Sequence, residues 1–307
     1  MLINKNHTAK EILIKTVDKI EGAYASSTIR AYKSNFENFI EFCEQISVCS
    51  LPAEGETVAL FIEKLSRTLK SSSIKIAVAA ISAVHRMNSE KDPTQTLEAK
   101  IAMRRMYRIL GRYAKQAHGI NKDVLDFMLL SIEDSLRGVR DKAILLVAYD
   151  SLCRRSELVS LEIEDVYFNH DKSLKLKLRK SKTDPFALGR WLYLSIETQA
   201  ALKGWLRLSG ISSGKIFRGI TSSGKITKDL GAPQISRIYK RLAQASKLHP
   251  DIVKNISGHS LRVGAAQDLL LSGATLPMIM NRGRWTKTDT IMRYMENTDI
   301  YKTNLLS

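Results

Sequence analysis

The stretch SGHSLRVGAA, residues 257–266, decides how this 307-residue chain is interpreted. It places His259 and Arg262 three positions apart, so that both side chains share one face if the segment is a helix. Further along lie Trp285, in the triplet RWT, and Tyr294, in the triplet MRY. Each residue alone has an ordinary explanation, such as capping or packing. Together they form a candidate functional site.

The segment AYDSLCRRSEL, residues 148–158, extends this candidate site upstream. It places Arg154 at a turn between two helical segments, with Glu157 about one helical turn later. The predicted strand pair has lysines at its tip. Lys182 lies there, and Lys180, two positions earlier, points to the same side of an extended chain.

These segments resemble the active-site signature of the tyrosine recombinase (phage integrase) family. The order arginine, lysine, HxxR, tryptophan, tyrosine carries the resemblance, and weaker matches extend it over most of the chain. It implies a mainly α fold with a small antiparallel sheet, arranged as a two-domain C-shaped clamp. It also implies a site-specific DNA recombinase that cleaves and rejoins DNA through a covalent 3′-phosphotyrosine at Tyr294 and a Holliday junction. No metal, ATP or other cofactor is expected.

The transition state of phosphoryl transfer explains why such residues are needed. Negative charge gathers on the non-bridging oxygens, so catalysis depends on positioning and on fixed positive groups. Arg154 and Arg262 each present a planar, permanently charged fork. The resemblance implies that His259 and Trp285 form hydrogen bonds with the same phosphate. Glu157 is expected to orient the residues of the site without touching the phosphate itself.

Proton transfer accounts for the remaining candidates. A tyrosine with a reference pKa near ~10 needs help to lose its proton at neutral pH, and the cations with His259 as a possible base can supply it. The family assigns protonation of the departing 5′ oxygen to the hairpin lysine. We favour Lys182 over Lys180 because its Lys-Thr context matches that hairpin better.

Two residues depart from the family's pattern. Arg155 follows Arg154 where relatives usually carry an aliphatic residue, which leaves room for a local rearrangement or an extra phosphate contact. Arg284 precedes Trp285 where similar members of the family have glycine. Neither departure removes a catalytic group.

The domain organisation follows from the change of pattern near residue 118. Helical periodicity dominates the first part, and period-two alternation predicts strands over 161–167, 174–179 and 191–194. The pattern therefore predicts a helical domain over residues 1–117, a linker over 118–122 and a second domain over 123–307. The resemblance implies that the first is a core-type, SAM-like DNA-binding domain and the second a catalytic domain.

The charge predicts a polyanionic partner, since the net charge is +17. No acid interrupts the basic residues of the fourth predicted helix. The candidate DNA-binding residues lie on three predicted helices: Ser72, Ser73, Lys75 and Arg86 on one, Arg104, Arg105 and Arg108 on the next, and Gln234, Arg237, Lys240 and Arg241 on a third.

The expected partner is double-stranded DNA with inverted-repeat target sites, bound by a homotetramer on two duplexes. No apolar run is long enough to span a bilayer and no signal peptide is recognised, so a cytoplasmic protein is expected, associated with the nucleoid if it is bacterial. The three cysteines form no CxxC pair, which argues against a disulfide framework or a zinc knuckle.

Two other functions fit parts of the sequence. A type IB topoisomerase-like enzyme shares the arginine, lysine, histidine and tyrosine chemistry. A non-catalytic DNA-binding regulator is the second, because residues 275–285 superficially resemble a helix-turn-helix.

Overall fold

A computed structural model describes residues 2–112, 116–171, 173–179, 181 and 189–295 of the chain, with side chains described from residue 8 to residue 294. The chain divides into two compact units, Met1–Lys115 and Gln116–Ser307. Each is described by itself. No helix in the described ranges is long and apolar enough to cross a lipid bilayer.

The described part of the first unit is helical. Its helices are α1 (Leu2–Ile20), α2 (Ser26–Gln45), α3 (Gly55–Ser66), α4 (Ser71–Met87) and α5 (Leu97–Leu110). Helix α3 packs on α5, and α2 packs on α4. Helix α2 buries one apolar face, formed by Phe36, Phe39, Ile40 and Cys43, in the core of this unit.

The first unit also buries a titratable side chain. His85 of α4 is fully buried, and its Nε2 accepts a hydrogen bond from the Ala53 N–H at 3.0 Å. Its Nδ1 is 2.8 Å from the Ile81 carbonyl oxygen and must therefore carry the ring proton. Burial lowers the pKa of His85, although the Ile81 hydrogen bond and the charges of nearby Asp92 and Glu90 act in the opposite direction. The ring is held as a neutral imidazole.

The second unit surrounds a larger core with helices and one small sheet. Its elements are α6 (Lys122–Leu130), α7 (Leu136–Ser151), α8 (Arg155–Leu158), β1 (Val166–Phe168), β2 (Leu174–Leu178), β3 (Arg190–Leu192), α9 (Ile196–Ser209), α10 (Ala232–Ala245), α11 (Pro250–Asn255), α12 (Ser260–Leu271), α13 (Leu276–Gly283) and α14 (Asp289–Met295). Helix α7 is largely buried and packs on α9 and α12.

The sheet is antiparallel, with β2 between β1 and β3. Leu176 pairs with Val166 on one side and with Leu192 on the other. Strand β2 confirms the predicted alternation, because its leucines are buried while Lys175 is exposed.

The predicted strand over 161–167 is wrong for most of its length. Residues Ile163–Asp165 form a 3-10 turn, and β1 begins only at Val166. The Asp165 carboxylate accepts a hydrogen bond from the Glu162 N–H at 2.9 Å. Such a local side-chain bond to the backbone competes with a strand ladder.

The segment before α6 packs against α12. The His118 N–H donates to the Asn255 carbonyl oxygen at 3.0 Å, and the Ile120 N–H donates to the Ser260 carbonyl oxygen at 2.9 Å. Gly264 of α12 lies directly under this segment, since a Cβ there would be 1.9 Å from the Ile120 carbonyl oxygen. The close approach therefore requires glycine.

Candidate active site

The candidate site begins where α7 ends. Leu152, which follows the helix, is buried and has the left-handed values φ 51° and ψ 29°, so the chain turns sharply into α8. Arg154 is the N-cap residue of α8, and Glu157 lies in its first turn. This turn brings the two side chains together: Arg154 Nη1 donates to Glu157 Oε1 at 2.6 Å, and the Arg154 N–H donates to Oε2 at 2.9 Å.

Glu157 is a buried carboxylate whose two oxygens are shared between three residues. Besides Arg154, Ser181 donates its hydroxyl to Oε1 at 2.9 Å, and Arg284 Nη2 donates to Oε2 at 3.2 Å. Burial alone raises the pKa of Glu157. The hydrogen bond from the Arg154 N–H and the charges of Arg284 and Arg154 outweigh it, so the pKa lies below its usual value. Glu157 is therefore ionised at neutral pH.

Arg262 projects from the first turn of α12 and is almost completely buried. Its Nη1 donates to the Leu152 carbonyl oxygen and its Nη2 to the Gly283 carbonyl oxygen. Burial, and then the charges of Arg154 and Arg284, lower the pKa of Arg262 to about 10. The group thus remains protonated at neutral pH, held by backbone dipoles.

His259 is the N-cap residue of α12 and is exposed to solvent. Desolvation by the surrounding protein lowers the pKa of His259, and the positive charges of Arg262, Arg155 and Arg154 lower it further. At neutral pH the ring is uncharged and has one nitrogen able to accept a proton.

Trp285 and Tyr294 complete the cluster. The Arg262 guanidinium carbon lies 4.0 Å from the centroid of the Trp285 ring, and the Trp285 and Tyr294 rings meet edge to face at 5.9 Å between centroids. The indole rests on Gly283, where a Cβ would lie 1.7 Å from a ring atom. The Tyr294 carbonyl accepts a hydrogen bond from Gln267 of α12 at 2.9 Å.

The structure therefore brings most of the predicted site residues into one region of the second unit. Arg154 is linked to Arg262 through Glu157, Arg284 and the Leu152 carbonyl oxygen. Arg262 contacts Trp285, Trp285 contacts Tyr294, and the charge of Arg262 lowers the pKa of His259. Lys182 and Lys180 lie outside the described residues. The residue between them is described: the Ser181 hydroxyl lies 3.3 Å from Arg154 Nη1.

Arg284 belongs to this cluster, although the sequence indicated it only as a departure from a family pattern. It has φ 57° and ψ 47°, and its side chain is 7% exposed. Nη1 donates to the Ser151 carbonyl oxygen at 3.0 Å, and Nη2 lies 3.2 Å from both the Leu152 carbonyl oxygen and Glu157 Oε2. Arg155 is exposed, and its aliphatic stem packs against Gly258, next to His259.

The candidate DNA-binding residues of the first unit lie on its surface. Ser72, Ser73 and Lys75 are exposed on α4, and Arg104, Arg105 and Arg108 are exposed on α5. Two of the arginines contact acids: Arg86 is 3.9 Å from Asp92, and Arg105 is 3.7 Å from Glu63.

Helix α10 has a buried apolar face, which includes Ile235, Ile238 and Leu242. Gln234 and Arg237 are exposed and line a cavity of about 540 Å³ together with Arg137, Arg140 and Arg241.

The other two basic candidates of α10 are already engaged. The Arg241 guanidinium is paired with the buried carboxylate of Asp141, and Lys240 Nζ donates to the Lys254 carbonyl oxygen at 3.2 Å.

Comparisons of the chain with known proteins agree on one family. The family model described as "Phage integrase family" matches residues 119–300. The chain is 27% identical to an integrase/recombinase XerD homolog of Selenomonas ruminantium, over 97% of this chain and 89% of that protein. It is 25% identical to recombinase Cre of Escherichia phage P1, over 90% of this chain and 86% of that protein.

Solved structures show the same fold. A lambda integrase (75–356) dimer bound to a COC′ core site matches with a TM-score of 0.67 and 15% identity, covering 93% of this chain and 94% of that one. XerH recombinase bound to a palindromic difH substrate matches with a TM-score of 0.66 and 16% identity, covering 89% and 77%.

Proposed function

Since the chain belongs to the phage integrase family and is a site-specific tyrosine recombinase that acts on DNA, we propose that Tyr294 is its nucleophile. The observation that carries this assignment is the edge-to-face contact of Tyr294 with Trp285, at 5.9 Å between ring centroids, together with the Arg262 guanidinium 4.0 Å from the centroid of the Trp285 ring. These contacts link the phenol, through the indole, to a guanidinium that is charged at neutral pH, and the pKa of Arg262 responds to the charge of Tyr294. An attacking phenolate and the phosphate it attacks both need that charge.

The cleavage step assigns one function to each residue. The Tyr294 oxygen forms a bond to phosphorus while the bond from phosphorus to the 5′ oxygen breaks, which leaves a 3′-phosphotyrosine. Arg154 and Arg262 stabilise the charge on the non-bridging oxygens, and Trp285 adds a hydrogen bond from its indole N–H. The ester conserves the energy of the broken bond, so a 5′-hydroxyl of another strand can reverse the step.

Proton transfers accompany both halves of this step. His259 accepts the phenolic proton, a role that its lowered pKa supports because the ring is neutral at pH 7. Lys182 donates a proton to the departing 5′ oxygen. The choice of Lys182 over Lys180 rests on its Lys-Thr context in the sequence. Ser181, which is next to both lysines, contacts Arg154 and Glu157, and this supports a lysine of this segment as the donor without distinguishing the two.

We further propose that four copies of the chain act on two duplexes carrying inverted repeats and pass through a Holliday junction. The proposal draws on relatives whose structures are described as a dimer on a core site and as a complex with a palindromic substrate. The residues that contact DNA are the exposed ones of α4, α5 and α10. The reaction takes place in the cytoplasm, at the nucleoid if the cell is bacterial.

A covalent-capture experiment tests the proposal. Duplexes of random sequence with a nick near the centre are incubated with the protein, and adducts that survive denaturation are recovered and sequenced. We expect adducts joined to Tyr294 through a 3′-phosphate, and none with Tyr294→Phe. Tight DNA binding without a Tyr294-dependent adduct contradicts the proposal.

A second assay tests the outcome of strand exchange. Plasmids that carry two copies of a recovered site should recombine. If they are only relaxed, the enzyme is topoisomerase-like.

A further inference from the structure

We propose that Arg284 is a positioning residue of the active site, acting through Glu157 on Arg154. The inference rests on the proposed function, because it assigns Arg154 to the phosphate. Arg284 is not expected to touch DNA, since its side chain is 7% exposed and its guanidinium faces the turn after α7.

The first argument is the set of acceptors that this guanidinium bridges. It binds the Ser151 and Leu152 carbonyl oxygens, where the negative end of the α7 dipole lies, and one oxygen of Glu157. The Leu152 carbonyl oxygen also accepts a hydrogen bond from Arg262 Nη1. Arg284 therefore ties the end of α13 to the turn that carries Arg154.

The second argument is charge. Arg154, Arg262 and Arg284 supply three positive charges around the single carboxylate of Glu157. Without Arg284, that carboxylate would act on Arg154 and Arg262 only, so it would offset more of their charge and the field on a bound phosphate would weaken. With Arg284 present, part of the carboxylate's negative charge is offset by Arg284, so less of it offsets the positive charge of Arg154.

The third argument is the saturation of Glu157. A carboxylate offers about four acceptor positions, and here they are filled by Arg154 Nη1, the Arg154 N–H, the Ser181 hydroxyl and Arg284 Nη2. Loss of the Arg284 bond removes both a hydrogen bond and a counter-charge from a buried carboxylate. Its pKa must then rise, and its hold on Arg154 must change.

The backbone allows this function to be tested cleanly. Arg284 has φ 57°, a conformation that glycine adopts at little cost. Arg284→Gly therefore removes the side chain without straining the chain. Arg284→Lys keeps a charge but cannot bridge three acceptors with a planar fork.

The experiment measures single-turnover formation of the Tyr294 adduct at saturating protein, on a nicked duplex recovered by covalent capture. We expect Arg284→Gly to slow the adduct about 10- to 100-fold, less than the loss of a group that touches the reacting atoms. DNA affinity should stay within about threefold of the original protein, because no phosphate contact is lost. The rate of adduct formation by Arg284→Lys should lie between that of the original protein and that of Arg284→Gly.

A double-mutant cycle separates positioning from general damage. In a Glu157→Gln background there is no carboxylate charge to offset, so adding Arg284→Gly should slow the adduct by less than about threefold. The matched control is Arg282→Ala. Arg282 also joins α13 to α7, through the Asp150 carbonyl oxygen at 3.2 Å, but stacks on Tyr193 instead of binding Glu157. Its effect should be the same in both backgrounds.

A direct titration gives a readout that needs no DNA. The Glu157 carboxyl is followed by ¹³C NMR in glutamate-labelled protein, with Glu157→Gln identifying the signal. Its pKa should be higher in Arg284→Gly than in the original protein and in Arg284→Lys.

Three results overturn the inference: an unchanged adduct rate in Arg284→Gly, an equal loss in the Glu157→Gln background, or an unchanged Glu157 titration. If the original protein forms no Tyr294 adduct, the proposed function has failed. The titration then still decides whether Arg284 controls Glu157.

Discussion

His259 shows how strongly a cluster of arginines controls the chemistry of one residue. It accepts a proton only when neutral, and its neighbours Arg262, Arg155 and Arg154 all disfavour the charged form. Because burial and these charges lower the pKa of His259 below its ordinary value of 6.5, the ring stays neutral as pH falls through that value. Adduct formation should decline only at lower pH.

Arg155→Leu tests this assignment. Removing one positive neighbour raises the pKa of His259, so the acid limb of the pH profile should move to higher pH. The measurement is the single-turnover adduct rate against pH at saturating protein, with Lys254→Leu as a control for surface charge. An acid limb that stays in place, or moves to lower pH, contradicts the assignment of His259 as the base.

The candidate site was predictable from sequence as far as single residue types and their order allow. His259 and Arg262 share one segment, Trp285 and Tyr294 stand in two later ones, and the structure brings the three segments together through α12, α13 and α14. Arg284 was not predictable as a participant. Its contacts depend on a left-handed backbone at the end of α13 and on the end of α7, about 130 positions away in sequence.

Helix α4 carries a titratable group on which the first unit's stability depends. His85 is neutral because it accepts from the Ala53 N–H and donates to the Ile81 carbonyl oxygen. Its lowered pKa means that the unfolded chain binds more protons than the folded one just below pH ~6.5. Stability contributed by His85 is therefore present above that pH and is lost as pH falls toward the lowered pKa.

We expect the melting temperature of the first unit to fall between pH 7.5 and 5. His85→Gln should flatten this dependence, since its amide oxygen can accept from the Ala53 N–H without titrating. Thermal unfolding followed by circular dichroism at several pH values is the measurement. An equally steep fall in the variant would place the sensitive group elsewhere.

Helix α12 offers a second test, based on a glycine. Gly264→Ala would bring a Cβ to 1.9 Å from the Ile120 carbonyl oxygen, so the segment across α12 must move. We expect the free energy of unfolding to drop by about 1–3 kcal/mol, as for other overpacked sites. Gly204 of α9 is the control, because a Cβ there meets nothing within 4 Å.

Gly204→Ala should instead raise the free energy of unfolding by about 0.4–1 kcal/mol, through the unfolded chain. Denaturant titration of both variants is sufficient. If Gly264→Ala is as stable as Gly204→Ala, the contact with Ile120 is looser than described.

The elements differ in how well their sequences predict them. The leucines of β2 alternate and form a strand, whereas residues 161–165 alternate as well but Ile163–Asp165 form a 3-10 turn. The difference lies in Asp165, which binds the Glu162 N–H, and in residues far along the chain. The Ile163 N–H, for example, donates to the Gly214 carbonyl oxygen at 2.8 Å. The periodicity of the sequence reveals neither of these hydrogen bonds.

For the whole molecule, the charge of +17 makes DNA affinity depend on salt. Arg237 and Arg241 on α10 should differ in their share. Arg237 is exposed beside the basic cavity, whereas Arg241 is already paired with Asp141. We expect Arg237→Ala to reduce the slope of log affinity against log salt by about 0.9.

Arg241→Ala should change that slope less and lower the melting temperature more, because it leaves Asp141 with Arg140 as its described ion-pair partner. Fluorescence anisotropy across a salt series measures the slopes. Equal slopes for both variants would mean that Arg241 leaves Asp141 when DNA binds.

The packing of residues 116–121 on α12 determines where a chimeric chain should be joined when the first unit is replaced by that of a relative. The Ile120 carbonyl lies over Gly264, and the Lys122 N–H donates to Asp268 at 2.7 Å. A fusion joined at residue 123 would replace this segment with a foreign one above the helix that carries Arg262. Joining at residue 116 keeps the native cover, and such chimeras should inherit a new DNA preference with the old chemistry intact.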